Sequence, residues 1–103
     1  MLIEAEMREL AKNKEYTKVF NYFHDEYTCM LKNFLIRNDI EVCENDCLID
    51  YIVKTRFFMP KYNQYTIPIT NAMYNEDLPE AMKYELLMNT YKDVREAFKN
   101  KDE

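Results

Sequence analysis

The residues with the best claim to chemistry are few. His24 is the single histidine of the 103-residue chain, and the only side chain whose ordinary pKa lies close to neutrality. It sits at the edge of an apolar helical stripe, beside Leu31 and Leu35. General-base work needs a nucleophile or an acid within hydrogen-bond reach, and Cys29, five positions on, points elsewhere. The spacing therefore gives His24 a structural or boundary role. Cys43 and Cys47 could offer two thiolates to a metal, but zinc asks for three or four ligands and the one histidine is far away in the chain. The reading here is Cys47 in the core and Cys43 in a loop. Glu41, Glu44, Asp46 and Asp50 form an acidic cluster that could attract a cation or a basic partner; a solvated face near helix N-termini explains it equally well. No catalytic residue, cofactor site or metal site is assigned.

Nine tyrosines and six phenylalanines raise a further chemistry, stacking on nucleic-acid bases. Stacking sites come with a positive groove, and a net charge of −5 argues against phosphate-backbone binding. Most of the aromatics belong in a core, with a few tyrosines at an interface. The three cysteines are odd in number and lack a CxxC pair, which fits a reducing cytosol with free, mostly buried thiols. The acidic, amphipathic start MLIEAEMREL is no signal peptide, and no apolar run is long enough to cross a membrane. A cytoplasmic protein is expected.

The elements that must position these residues are helical. The chain contains no glycine, so phosphate-binding loops and the favoured tight hairpins are excluded. One all-α domain over residues 1–103 is expected, an up-and-down bundle of four or five helices. Its centre is the run from Glu15 to Arg37. There Tyr16, Val19, Phe20, Phe23, Tyr27, Met30, Leu31 and Phe34 recur at three and four residues and share one face. A helix of roughly 34 Å follows. A thinner line on its far side, Tyr22, Cys29 and Ile36, is the candidate interface with a second subunit.

Around that helix, Leu2 to Lys12 reads as a first helix with Glu4 and Arg8 paired at i,i+4. Asn13-Lys14 is a break, or a kink if the two helices run on. Asn38 is placed as a left-handed cap, with Ile40 folding back on the last turn. A third helix is expected over about Asp46 to Phe57, N-capped by Asn45 or Asp46. Cys47, Leu48, Tyr51, Ile52 and Phe58 form its inner face; Ile49 and Val53 broaden it, so the helix should be well buried. Residues 61–74 read as a short or kinked helix around Pro68, in preference to an extended loop. The last helix is expected from Leu78 to Asn100, opened by a capping box with Asp77 as N-cap and Glu80 at N3. Tyr84, Leu87, Tyr91, Val94 and Phe98 form its stripe, with Lys99 and Lys101 at the negative end of its dipole.

The order of these elements resembles the HEPN superfamily of small helical bundles over about residues 5 to 100. The resemblance rests on Glu15-Tyr16 opening a long aromatic helix, on Leu35-Ile36 to Ile40-Glu41-Val42, on the short helix Asp46 to Ile52, and on Tyr74-Asn75-Glu76-Asp77-Leu78-Pro79-Glu80 before the final helix. It implies a bundle of four or five helices that often forms a homodimer. Members of the family act as RNA-cutting toxins, or as partners and substrate-binding modules of small nucleotidyltransferases. The ribonuclease branch carries an Arg followed, after about four to six residues, by a His near the start of the final helix. This chain departs from it: its arginines are Arg8, Arg37, Arg56 and Arg95, and none precedes His24 at that spacing. Met73 also stands before Tyr74, where non-toxin members often have an Arg-Tyr-Pro turn. The resemblance thus implies a non-catalytic binding or assembly module, with a nucleotidyltransferase as its partner. Two other readings stay open: a small phage or prokaryotic inhibitor that docks on a defence enzyme such as a nuclease, and an atypical ribonuclease using His24.

Overall fold

The computed structural model describes residues 2–99, with the side chains of Leu2 and Ile3 outside that description. Among the described residues there are five α-helices and no strand: α1 Leu2–Lys12, α2 Tyr16–Arg37, α3 Leu48–Phe58, α4 Asn63–Tyr74 and α5 Glu80–Phe98, with a 3-10 turn over Pro60–Tyr62. The fold is an all-α bundle. α2 is its axis and touches each of the other four helices; α5 packs along α2 and α4, and α3 bridges α2 and α4.

The stripe on α2 is the reason. Val19, Phe23, Tyr27, Met30, Leu31, Phe34 and Leu35 are all buried, and Tyr16 and Phe20 pack at the margin of the same core. Leu87, Val94 and Phe98 of α5 meet them, and Ile69 and Ala72 of α4 close the far side. The aromatics join the helices in two clusters. Phe34 and Phe98 meet edge to face at 4.9 Å, with Tyr62 packed on both. Phe23 lies 5.8 Å from Tyr27 and 5.4 Å from Tyr91. Contacts of this kind favour offset or edge geometry and fix how two helices face one another.

Without glycine, the first two helices end on side-chain-bearing residues. Lys14 (φ 58°) and Asp39 (φ 59°) take the left-handed conformation. After α1, the amides of Lys14 and Glu15 donate to the carbonyls of Ala11 (3.0 Å) and Leu10 (2.8 Å). After α2, Asp39 and Ile40 donate to Ile36 (3.1 Å) and Leu35 (2.9 Å). Both are Schellman closures, which want glycine at the left-handed position. The expectation for α2 is thereby corrected by one residue. Asn38 is the C-cap at φ −99°, and the left-handed position is Asp39. Ile40 does fold back onto the core.

Two helix starts also differ from expectation. α3 begins at Leu48 with Cys47 as its N-cap, not Asn45 or Asp46. α5 has Pro79 as its N-cap and Glu80 as its first residue, so the Asp77–Glu80 capping box does not form. Asn75 intervenes: its Oδ1 accepts the Asp77 amide at 3.0 Å, an Asx turn that orders the approach, and the Pro79 carbonyl opens the helix by accepting from Met82 and Lys83. α5 ends at Phe98; Asn100 and Lys101 lie outside the described residues.

Residues 63–74 are helical, with Pro68 inside α4. Proline removes one hydrogen bond of the ladder, and side chains bind this helix from within and without. Thr70 Oγ1 donates to the Thr66 carbonyl (2.9 Å), while Arg56 of α3 donates through Nε to Thr66 Oγ1 (3.0 Å) and through an Nη to Thr70 Oγ1 (2.9 Å).

Candidate protein-binding face

α3 carries four of the eight large apolar side chains that stand exposed among the described residues. Leu48, Tyr51, Ile52 and Thr55 enter the core. At 100° per residue the opposite side carries Ile49, Val53 and Phe57, one turn apart from one another. Phe57 is 77% exposed, Val53 59%, Phe58 54% and Ile49 38%. Phe57 and Phe58 pack on each other edge to face at 4.8 Å, forming an aromatic end to the ridge. On the adjoining α4, Ile67 and Tyr74 are exposed as well.

These placements correct the expectation for α3. Ile49, Val53 and Phe58 do not thicken a buried face; they are exposed, because α2 and α4 cover only one side of a helix whose apolar residues spread beyond that side. Cys47 is exposed too, as are Cys29 and Cys43, so the expectation of mostly buried thiols fails for all three. The usable signal was the four-residue ridge 49–53–57, which cannot share a face with Leu48, Tyr51 and Ile52.

The acidic cluster is the entry to this helix, and it is largely self-satisfied. The Asp46 carboxylate accepts from the Cys43 amide at 2.9 Å and from Lys54 Nζ at 2.6 Å. The Lys54 hydrogen bond and then the Cys43 amide hold the Asp46 carboxyl below its ordinary range, and the same bond raises Lys54. Lys54 Nζ also donates to the Glu41 carbonyl at 3.0 Å, tying the 41–47 connection to the second turn of α3. Asp50 accepts from the Cys47 amide (2.9 Å) and from the Cys47 thiol (3.1 Å), and these bonds, the amide first, lower its pKa; the Cys47 sulfur in turn accepts from the Asp50 amide, which makes a capping box. Among the described residues no group of three or more His, Cys, Asp or Glu could hold a metal ion.

The stripe read as an interface, Tyr22, Cys29 and Ile36, is brought to the surface only in part. Ile36 is 49% exposed and Cys29 is exposed, its sulfur 3.5 Å from Asn33 Nδ2. Tyr22 is half-buried, edge-on to Phe23 at 5.5 Å. Beside Cys29 a polar cleft of about 70 Å³ opens between α2 and the end of α5, lined by Glu26, Asn33, Arg37 and Lys99 among others. Glu26 is its hub: Tyr91 donates to it at 3.1 Å and Lys99 Nζ lies 3.2 Å away, while Arg37 donates to the Phe98 carbonyl. Burial, and then the Glu26 carboxylate, push the Tyr91 phenol well above its ordinary value. This network locks α5 onto α2.

His24 is partly exposed, with Nδ1 3.7 Å from Asp25 and its carbonyl accepting from Thr28 Oγ1 at 2.6 Å. Five residues separate it from Cys29, about 140° around the helix, so the two lie on different faces. No helix among the described residues is long and apolar enough to cross a membrane. Comparison with protein-family models, with curated proteins and with solved structures finds no match.

Proposed function

We propose that this chain is a non-catalytic protein-binding and assembly module, HEPN-like in the order of its helices, working in partnership with a nucleotidyltransferase. The observation that carries the reading is the outer face of α3, where Val53 and Phe57 stand more than half exposed beside Ile49 and Phe58. An exposed apolar ridge with charged residues at its edges is the usual mark of a protein-contact surface. Phe57 has the area and rigidity of a binding anchor.

The test is co-expression with the nucleotidyltransferase encoded nearest to its gene. The wild-type chain is expected to co-purify with the enzyme, and Val53→Glu with Phe57→Glu to lose it while circular dichroism and Tm stay unchanged. Capture that survives both substitutions refutes the assignment of the face. A second reading, an inhibitor that blocks a defence nuclease, draws on Glu41 and Glu44, exposed at the entry to α3. It requires nuclease activity to fall on addition of the chain, and to recover with Glu41→Lys and Glu44→Lys. A ribonuclease using His24 requires growth arrest on expression that His24→Ala abolishes.

A further inference from the structure

We propose, resting on the protein-binding reading above, that Arg56 is a carboxylate-recognition site set into that face, and that the segment docking there presents an Asp or Glu side chain flanked by apolar residues.

Arg56 carries a charge that no acidic group among the described residues answers. None of the ion pairs among them includes it. Its hydrogen bonds run to two neutral hydroxyls, from Nε to Thr66 Oγ1 at 3.0 Å and from Nη2 to Thr70 Oγ1 at 2.9 Å. Lys54, by contrast, is neutralised by Asp46 within the chain. The two threonine bonds occupy the edge of the guanidinium formed by Nε and Nη2. Of its five N–H donors, the two on Nη1 and the second on Nη2 make another edge, and that fork matches the two oxygens of a carboxylate. The threonines hold the fork still. Each gives its own hydroxyl proton to a carbonyl of α4, Thr66 to Asn63 (3.1 Å) and Thr70 to Thr66 (2.9 Å), which leaves each oxygen to accept from Arg56. Thr66 is fully buried and Arg56 only partly exposed. An oriented, partly desolvated cation without an anion is a cost to the folded chain. The same arrangement binds a carboxylate with little left to order.

The position suits a contact surface. Arg56 stands about 60° around α3 from Val53, on the side of α4, while Asp50 and Lys54 lie on the opposite flank. It therefore sits between the exposed Ile49, Val53 and Phe57 of α3 and the exposed Ile67 and Tyr74 of α4. Aromatic and aliphatic side chains exposed to these fractions offer on the order of 400 Å² of apolar surface. A partner packed on them excludes water from the Arg56 fork, where an ion pair is stronger than at an open surface. A carboxylate fits this fork better than a phosphate does: sites for phosphorylated side chains gather several cations, and here a single guanidinium stands in a chain of net charge −5.

The experiment is selection of displayed random peptides on the immobilised chain, followed by fluorescence anisotropy of the selected peptides after synthesis. Wild type is expected to enrich peptides in which Asp or Glu adjoins aromatic or aliphatic residues. Replacing that acidic residue by its amide, or Arg56→Gln in the chain, should each weaken binding about 10- to 100-fold. The two changes together should cost little more than either alone, because they remove one contact. Arg56→Lys keeps the charge without the fork and should fall between. Unchanged circular dichroism and Tm establish that the Arg56 variants are folded, and the amide peptide tests the contact on the wild-type chain. A selection without acidic enrichment overturns the proposal, as do losses that simply add, or a tenfold preference for phosphoserine at the acidic position. Peptides that bind wild type and Arg56→Gln equally, but are lost on Val53→Glu with Phe57→Glu, overturn it and leave the protein-binding reading of the ridge standing. Peptides that depend on Arg56 and bind the double variant unweakened uphold the carboxylate site and remove the ridge.

Discussion

The absence of glycine has a measurable cost at Lys14. This residue holds φ 58° so that Glu15 and Lys14 can close the end of α1 on Leu10 and Ala11. A left-handed residue with a Cβ is disfavoured by about 1–2 kcal/mol. Lys14→Gly removes that cost, but it also frees the unfolded chain, which returns about 0.5–1 kcal/mol to the unfolded state. The Lys14 side chain is exposed, so little packing is lost with it. The net expectation is a gain of about 0.5–1 kcal/mol, or several degrees in Tm for a domain of this size. Urea unfolding with an unchanged m-value is the assay. Lys14→Ala is the control, since it keeps the Cβ and should gain nothing from the backbone. Asp39→Gly tests the same geometry after α2, where a second effect adds: an acidic side chain at a helix C-terminus opposes the dipole. Asp39→Asn isolates that electrostatic part. If Lys14→Gly destabilises the fold, or Lys14→Ala stabilises it equally, the strain argument fails.

At the start of α3, Cys47→Ser should hold or raise stability by a few tenths of a kcal/mol, because a hydroxyl is the better N-cap, while Cys47→Ala should cost about 1 kcal/mol; chemical denaturation separates them. Asp46 and Asp50 have carboxyls lowered by the Lys54 and Cys47 bonds, so the stability they add is present above the ordinary Asp pKa of about 4 and is lost as pH falls through their folded values. Denaturant midpoints between pH 6 and 2, flattened in Asp46→Asn, check this; a profile unchanged by the substitution refutes it. Tyr27 and Tyr91 have phenols raised by burial first, so the folded state holds their protons and stability should fall as pH rises past about 10. Ultraviolet titration should show these two ionising only together with alkaline unfolding. Early ionisation of all nine tyrosines would contradict the burial.

Where apolar residues kept a single helical period, the sequence disclosed the fold. The α2 stripe put Val19, Phe23, Tyr27, Met30, Leu31 and Phe34 inside, and the α5 stripe did the same for Leu87, Val94 and Phe98. The i,i+4 pair of Glu4 and Arg8 stands as read, at 2.7 Å. The misreadings fall where several groups compete for one role. Asn75, Asp77 and Pro79 can each begin a helix approach, and the Asx turn of Asn75 displaced the box on Asp77. Asp46 looked like an N-cap but was claimed by Lys54, leaving the cap to Cys47, a residue type that propensity ranks low there. α3 was misjudged for a different reason. Apolar residues spread over more than one side of a helix do not say which side its neighbours cover, and that depends on α4, whose path around Pro68 was the least readable part of the chain.

The apolar character of the outer α3 residues is not explained by the folding of one chain. Leu48, Tyr51, Ile52 and Thr55 already make the contacts of α3 with the core. A polar residue at Val53 or Phe57 would leave those contacts in place, and exposed substitutions ordinarily change stability by no more than about 0.5 kcal/mol. Burial in a complex does explain them. At about 25 cal/mol per Å², covering some 400 Å² of apolar surface is worth on the order of 10 kcal/mol. Association itself costs an estimated 4–15 kcal/mol. Against a polar partner surface the ridge is buried once and the two quantities nearly cancel. Against an apolar partner surface the gain roughly doubles, and the association cost is met only once. The ridge therefore stabilises a complex by a clear margin only with a partner whose own contact surface is apolar.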